Sequence, residues 1–169
     1  MSENNYYNSS IIMSLIDNNI SIASAESCTG GLFASTLTKY NGVSKIFPGS
    51  IVSYSNDIKQ KLLGVTPETL KEYGAVSSQT VSEMARGIRK VMGTDLGVSF
   101  SGIAGPTKEI DAKPQGLVYI CVDYKGKQLI VKNNFKGTRE IIQQMSVDKS
   151  FQMINEIISF DWFIFKYTI

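Results

Sequence analysis

Three short segments of the 169-residue chain set hydroxyl, thiol or amine groups near glycines, and each reads as the loop that follows a strand. The first, AESCTGG (25–31), offers Ser27, Cys28 and Thr29 beside Gly30 and Gly31, whose missing Cβ lets backbone approach a ligand. A helix starting near Thr29 adds free N–H groups that favour an anion, so a phosphate or an oxyanion fits there; equally, Ser27 or Thr29 serves only as that helix's cap. The second gathers Ser50, Tyr54, Asn56 and Lys59 within ten residues. A lysine in such a place is ordinarily a solvated helix charge. The third, SGIAGP (101–106), puts Ser101 ahead of Gly102 and Gly105, where a turn of backbone donors either holds a phosphate or an oxyanion or is simply a structural turn.

What raises the chemical reading of the lysine is the absence of histidine from the whole sequence. Ser-His-Asp and Cys-His catalysis and histidine-ligated metal sites are thereby excluded. A serine nucleophile then needs another base, and a desolvated lysine with a lowered pKa can serve. None of the three segments matches a Walker A pattern or GxGxxG, so no ATP or dinucleotide site is signalled. Cys28 and Cys121 are too few for a disulfide scaffold or a four-thiolate zinc site, which points to a reducing, cytoplasmic setting. Lys and Arg total 17 against 15 for Asp and Glu, and the formal net charge of +2 gives no strong field to draw in DNA. The polar N-terminus carries no basic leader region, residues 1–7 are expected to be flexible, and no apolar run approaches the ~20 residues that cross a bilayer. The apolar tail from Phe160, FDWFIFKYTI, reads as a buried strand or an oligomer contact.

Strands and helices must alternate to position these segments, and the periodicity supplies that order. With 43% hydrophobic and 19% charged residues, the length suits a single domain over 1–169. Ile12, Leu15 and Ile16 suggest a first short helix, 21–25 a buried strand ending at Glu26, and a second helix runs from near Thr29 to Lys39. A strand over 49–54 and a polar turn at 55–57 lead to a helix through Leu62 and Leu63. Thr66 caps the next helix, with Pro67 at its first position. From Ser78, the residues Val81, Met84, Ala85, Ile88 and Met92 form one helical stripe that Gly93 stops. A strand over 96–100 enters the third segment. Runs at 117–124 and 128–135 flank Lys125-Gly126 as a β-hairpin, and the last helix begins at Thr138 carrying Ile141, Met145, Phe151, Ile154 and Ile158. This order predicts an α/β domain: a parallel sheet with one antiparallel hairpin strand, helices on both faces.

In order and spacing, AESCTGG, GSIVSYSNDIKQKLLGV (49–65), YGAVS (73–77), SGIAGP and KPQG (113–116) resemble the CinA C-terminal domain family, the likeness covering 21–139. The resemblance implies a three-layer α/β/α sandwich with a mixed, mostly parallel sheet of about five strands. For stand-alone members it implies hydrolysis of nicotinamide mononucleotide to nicotinic acid mononucleotide and ammonia, in pyridine nucleotide salvage. By the same resemblance Ser27 is the nucleophile and Lys59, in YSNxxK, the base, with Tyr54 opening that motif as a third catalytic residue. Arg139, which follows Phe135 and Gly137, suits the substrate's phosphate. Cys28, Thr29, Gly30, Gly31, Ser50, Asn56, Ser101 and Gly102 are the remaining substrate contacts. The expected partner is the small-molecule substrate, with no cofactor, metal, nucleic acid or membrane, and the chain is expected to form a homo-oligomer, a dimer for preference. Two places depart from the family pattern: Lys108-Glu109 replaces Gly-Gly after GIAGP, and Gln143 stands where the last helix has a second arginine. Larger members carry an additional N-terminal domain, for which 169 residues leave no room.

The expected mechanism has neutral Lys59 take the proton of Ser27, which attacks the carboxamide carbon while N–H groups of 29–31 stabilise the oxyanion. Ammonia leaves and water resolves the acyl-enzyme. Cys28 is the rival nucleophile. A function of another class uses the same loops without chemistry: a non-catalytic nucleotide- or phosphometabolite-binding module associated with competence or DNA damage.

Overall fold

The computed structural model describes the backbone of residues 3–106 and 113–167 and the side chains of residues 6–106 and 113–159. Its twelve-step course begins with α1 (Glu3–Asp17), longer than the short helix expected, and β1 (Ile22–Glu26). Next come α2 (Leu32–Leu37), a 3-10 turn at Val43–Lys45, β2 (Ser50–Val52), α3 (Asn56–Leu63) and α4 (Pro67–Tyr73). The remainder is α5 (Ser78–Met92), β3 (Leu96–Gly102), β4 (Leu117–Tyr124), β5 (Lys127–Asn134) and α6 (Arg139–Tyr167). One five-stranded sheet has the order β2-β1-β3-β4-β5. β1 pairs in parallel with β2 and β3, β4 is antiparallel to β3, and β5 returns antiparallel to β4, so four strands share one direction. The hairpin turns at Lys125 (φ 51°) and Gly126 (φ 94°), the two successive positive φ values that a tight right-twisted hairpin needs.

β1 and β3 are buried on both faces, as central parallel strands must be, which explains why 21–26 and 96–102 read as runs of small or apolar residues without alternation. On one face α5 lays Val81, Met84, Ala85 and Ile88 against the sheet, with Met92 packed at the margin of the same cluster. α3 crosses α5 so closely that a Cβ on Gly87 would overlap the Leu63 carbonyl. The other face is covered by α1, α2 and α6 around Phe33, Phe100 and Phe151, with ring centroids 5.5 and 5.1 Å apart. Capping follows the sequence where it is local: Thr66, Ser77 and Gly93 bound α4 and α5 as their residue types require.

Three expectations are corrected here. α2 begins at Leu32, not near Thr29, because Gly30 (φ 61°) and Gly31 (φ 98°) are left-handed and hold the chain in a turn. α6 runs on through Tyr167, so of the two readings of the tail, a buried strand or an oligomer contact, the strand is corrected to helix; no Gly or Pro interrupts 139–167, so nothing stops it. Its inward face is also rotated from the expected one. Ile142, Val147, Phe151 and Ile154 are buried, whereas Ile141 and Met145 are 48% and 40% exposed. α6 carries apolar residues on more than one face, and Phe151 stacking on Phe33 selects which of them turns inward.

Candidate active site

The chain crosses from β2 over β1 to β3, so the strand order reverses beside the carboxyl ends of β1 and β3, where open α/β sheets form their clefts. A cavity of about 460 Å³ opens there, within the range of small-molecule sites. Its wall includes Ser27 and Cys28 after β1, Tyr54, Asn56 and Lys59 after β2, Ser101 and Gly102 at the carboxyl end of β3 with Gly105 beyond it, and Arg139 at the start of α6.

Leu63 anchors α3 in the core, and Lys59, one turn earlier on the same face, is carried inward and left only 1% exposed. Its Nζ lies 3.2 Å from Ser27 Oγ, 2.7 Å from the Ser53 carbonyl and 3.4 Å from the Tyr54 carbonyl. A neutral amine has two N–H bonds and one lone pair. As an ammonium, Nζ donates to Ser27 Oγ and to both carbonyls; in the neutral form the two carbonyls take its N–H groups and leave the lone pair for the Ser27 hydroxyl. Burial lowers the Lys59 pKa from its ordinary 10.5, and only a Cys28 thiolate, which forms at high pH, would oppose it by favouring the ammonium. Both directions come from solvation and charge, and burial is the larger cause. For Cys28, burial pushes the thiol up to about 12 despite donation from its own and the Thr29 N–H groups. It therefore stays a thiol at neutral pH, and since thiolate is the nucleophilic form, Ser27 is the better placed of the two neighbours.

Ser27 is fixed through its N–H to the Phe100 carbonyl at 3.1 Å. Because Glu26 pairs with Phe100 in register, Ser27 and Ser101 come side by side one step further on adjacent parallel strands. Ser101 Oγ lies 2.7 Å from the Ala75 carbonyl, which can only accept, so its proton is committed and only its lone pairs remain for a ligand. Lys113 Nζ donates to the Val76 carbonyl at 2.9 Å and steadies the same 73–77 wall. Opposite, the Arg139 guanidinium lies so close over Gly105 that a Cβ there would overlap it, and it makes no ion pair among the described residues.

Four expected contacts lie off the cavity wall. Ser50 Oγ is engaged with Ser24, 3.0 Å from its carbonyl, and faces Glu26. Thr29 is buried with no partner for its hydroxyl among the described residues, and Gly30 N–H bonds the Ser27 carbonyl. Gly31 N–H is spent on Glu26. That glutamate is what the sequence reading missed. Fully buried, its carboxylate receives the N–H groups of Gly31, Phe33 and Ala34 at 3.0, 3.1 and 2.9 Å, so the anion site expected at the start of α2 is filled from within. Its main-chain carbonyl also accepts the Ser53 N–H at 2.7 Å, tying the turn that carries Ser27 to the strand end that anchors Lys59. The available signal was an acidic residue ending an otherwise small and apolar strand, which burial obliges to find donors. Among the described residues the amides of 28 and 29 have no carbonyl partner, and both face the Cys28 sulfur on the cavity wall.

Of the two departures from the family pattern, Lys108-Glu109 lies outside the described residues, whereas Gln143 donates Nε2–H to the Cys28 carbonyl at 2.8 Å. Among the described residues no three His, Cys, Asp or Glu side chains gather as a metal would require, and no helix is long and apolar enough to cross a membrane.

Comparison with known proteins agrees with this architecture. A protein of Acetivibrio thermocellus whose name includes the words "competence-damage inducible protein" is 49% identical over 144 residues, 85% of this chain but 35% of that protein. The chain thus spans about a third of the length of the curated relatives it matches. Among solved structures, the competence/damage inducible protein CihA of Agrobacterium tumefaciens is 33% identical with a TM-score of 0.87, covering 92% of this chain and 96% of that one. A competence-damaged protein (CinA) superfamily protein of Klebsiella pneumoniae, 28% identical, superposes with a TM-score of 0.89 over 94% and 99% of the two chains. The sequence matches the CinA C-terminal domain over residues 4–158, and the chain belongs to that family.

Proposed function

We propose that this domain is an amidohydrolase that removes the amide nitrogen of nicotinamide mononucleotide as ammonia, leaving nicotinic acid mononucleotide. The observation that carries the reading is the buried Lys59 amine 3.2 Å from Ser27 Oγ, with two backbone carbonyls directing its third valence at that hydroxyl. Lys59, neutral, takes the Ser27 proton as Oγ bonds to the carboxamide carbon, and the N–H groups of Cys28 and Thr29 stabilise the resulting oxyanion. These replace the 29–31 donors expected from sequence, since Gly30 and Gly31 are already engaged. The C–N bond then breaks as the Lys59 ammonium returns its proton to the leaving nitrogen. Water, deprotonated by the same amine, cleaves the acyl-serine ester and Ser27 recovers its proton. Arg139 supplies a paired-donor cation for the phosphate, and the exposed Tyr54 ring offers a face for the pyridine at the cavity mouth.

Purified protein incubated with nicotinamide mononucleotide should release ammonia. Ser27→Ala should lower turnover by at least ~10³ while retaining substrate binding, and Cys28→Ala should cost less than about tenfold. Binding without ammonia release in the parent protein would make the domain a nucleotide-binding module. A silent Ser27→Ala beside an inactive Cys28→Ala would move the chemistry to the thiol.

A further inference from the structure

We propose that Gln143, in the second turn of α6, is a positioning residue that aims the oxyanion donor of the turn after β1; this rests on the amidohydrolase reading above. The contact joins positions 115 residues apart, Nε2 of Gln143 donating to the Cys28 carbonyl at 2.8 Å. A carbonyl oxygen can only accept, so the nitrogen of the Gln143 amide faces it. The 28–29 peptide is trans, and in a trans peptide C=O and N–H point in opposite directions. Anchoring the carbonyl to α6 therefore turns the Thr29 N–H away from α6, toward the Cys28 sulfur at the cavity wall.

The rest of the turn is held by its own neighbourhood. Ser27 N–H bonds Phe100, Gly30 N–H bonds Ser27, Leu32 N–H bonds Thr29, and Gly31 N–H bonds Glu26. Among the described residues, the 28–29 peptide is the one in this turn that a side chain from a distant element orients. α6 is suited to set it. Ile142 is 1% exposed in the core and fixes the rotation of the helix, while Arg139 and Gln143, four residues apart, share the face beside the site. One helix face thus presents the cation at the cavity mouth and the grip on the nucleophile's turn.

Glutamine can do this because it donates. Leucine removes the donor at similar size, glutamate sets carboxylate oxygens against a carbonyl oxygen, and arginine restores N–H groups. The test measures ammonia release together with the affinity for pyridine-3-boronic acid, which forms an anionic tetrahedral adduct on an activated serine and needs the same donors. Gln143→Leu and Gln143→Glu should each lower kcat by about 10- to 100-fold and weaken the boronate by a similar factor, with KM within about twofold. The pH dependence should stay in place because Lys59 is untouched, and Gln143→Arg should recover most of kcat. The proposal is overturned if kcat and boronate affinity hold in both losing variants, if KM alone moves, or if arginine does no better than leucine. Should Gln143→Leu fail to fold, the contrast between glutamate and arginine decides. A parent protein that releases no ammonia yet binds the boronate through Ser27, with loss in Gln143→Leu, removes the nucleotide substrate and leaves the positioning role standing.

Discussion

The inward and outward faces of α3 carry the same residue type in opposite surroundings. Lys59 has its amine packed among the Ser53 and Tyr54 carbonyls and the Ser27 hydroxyl, almost without water. Lys61, two residues on and about 200° round the helix, pairs with Asp57 at 2.9 Å with both side chains largely in solvent. A lysine in water keeps its proton at neutral pH and is no base. Removing water penalises the ammonium form, and that alone separates a proton acceptor from a surface charge. The difference teaches that the surroundings of the Lys59 amine depend on the placement of Leu63, which buries one face of α3, as much as on the lysine itself.

The strongest way to break this contrast is to keep the charge and remove the base. Lys59→Arg should be nearly as inactive as Lys59→Ala, each losing at least ~10³ in the rate of ammonia release, because a guanidinium does not give up a proton in this range. An arginine variant that keeps most of the activity would reduce Lys59 to a source of positive charge.

The pH dependence sharpens the same contrast. Burial lowers the Lys59 pKa from 10.5, so the neutral amine forms at a lower pH than for a solvated lysine. Below that lowered pKa, kcat/KM should rise about tenfold per pH unit as the base form accumulates, and it should level off before pH 10.5. A steady-state profile that is flat across this rise, or that falls with pH, would contradict a lysine base.

How much of this could be read from sequence divides along the same line between local and distant causes. The Thr66 cap, the start of α5 at Ser78, its stop at Gly93 and the Lys125-Gly126 hairpin were legible because a helix end or a tight turn is decided by residues a few positions away. The neighbourhood of Ser27, Lys59 and Ser101 was legible because each lies at or just beyond the carboxyl end of a strand reaching the same edge, whereas Arg139 was expected only through the family resemblance. Glu26 was not, because its three N–H donors depend on where α2 turns, and two left-handed glycines delay that helix to Leu32. Ser50 looked like a ligand contact for the same reason: only the parallel pairing of Ser24 with Ser50 reveals that its hydroxyl is used inside the sheet. The rotation of α6 was hidden because its apolar residues mark more than one face and Phe33 chooses between them.

The smallest expected effect tests the outward face. Lys61→Ala removes an exposed i,i+4 ion pair with Asp57, and such pairs contribute about 0.3–0.5 kcal/mol. Asp57 in the first turn of α3 and Lys61 in the last also suit the helix dipole, a further few tenths of a kcal/mol that salt screens. Alanine recovers part of this through its higher helix propensity. Thermal unfolding of Lys61→Ala should therefore lie close to that of the parent, with the small gap shrinking as salt is added, and ammonia release should be unchanged at every pH. Neither the Ser27 hydroxyl nor the carbonyls that orient Lys59 touches this side chain, so no route connects its loss to the proton transfer. A large fall in kcat for Lys61→Ala would mean that α3 presents its other face to the substrate, and the assignment of Lys59 as the base would fall with it.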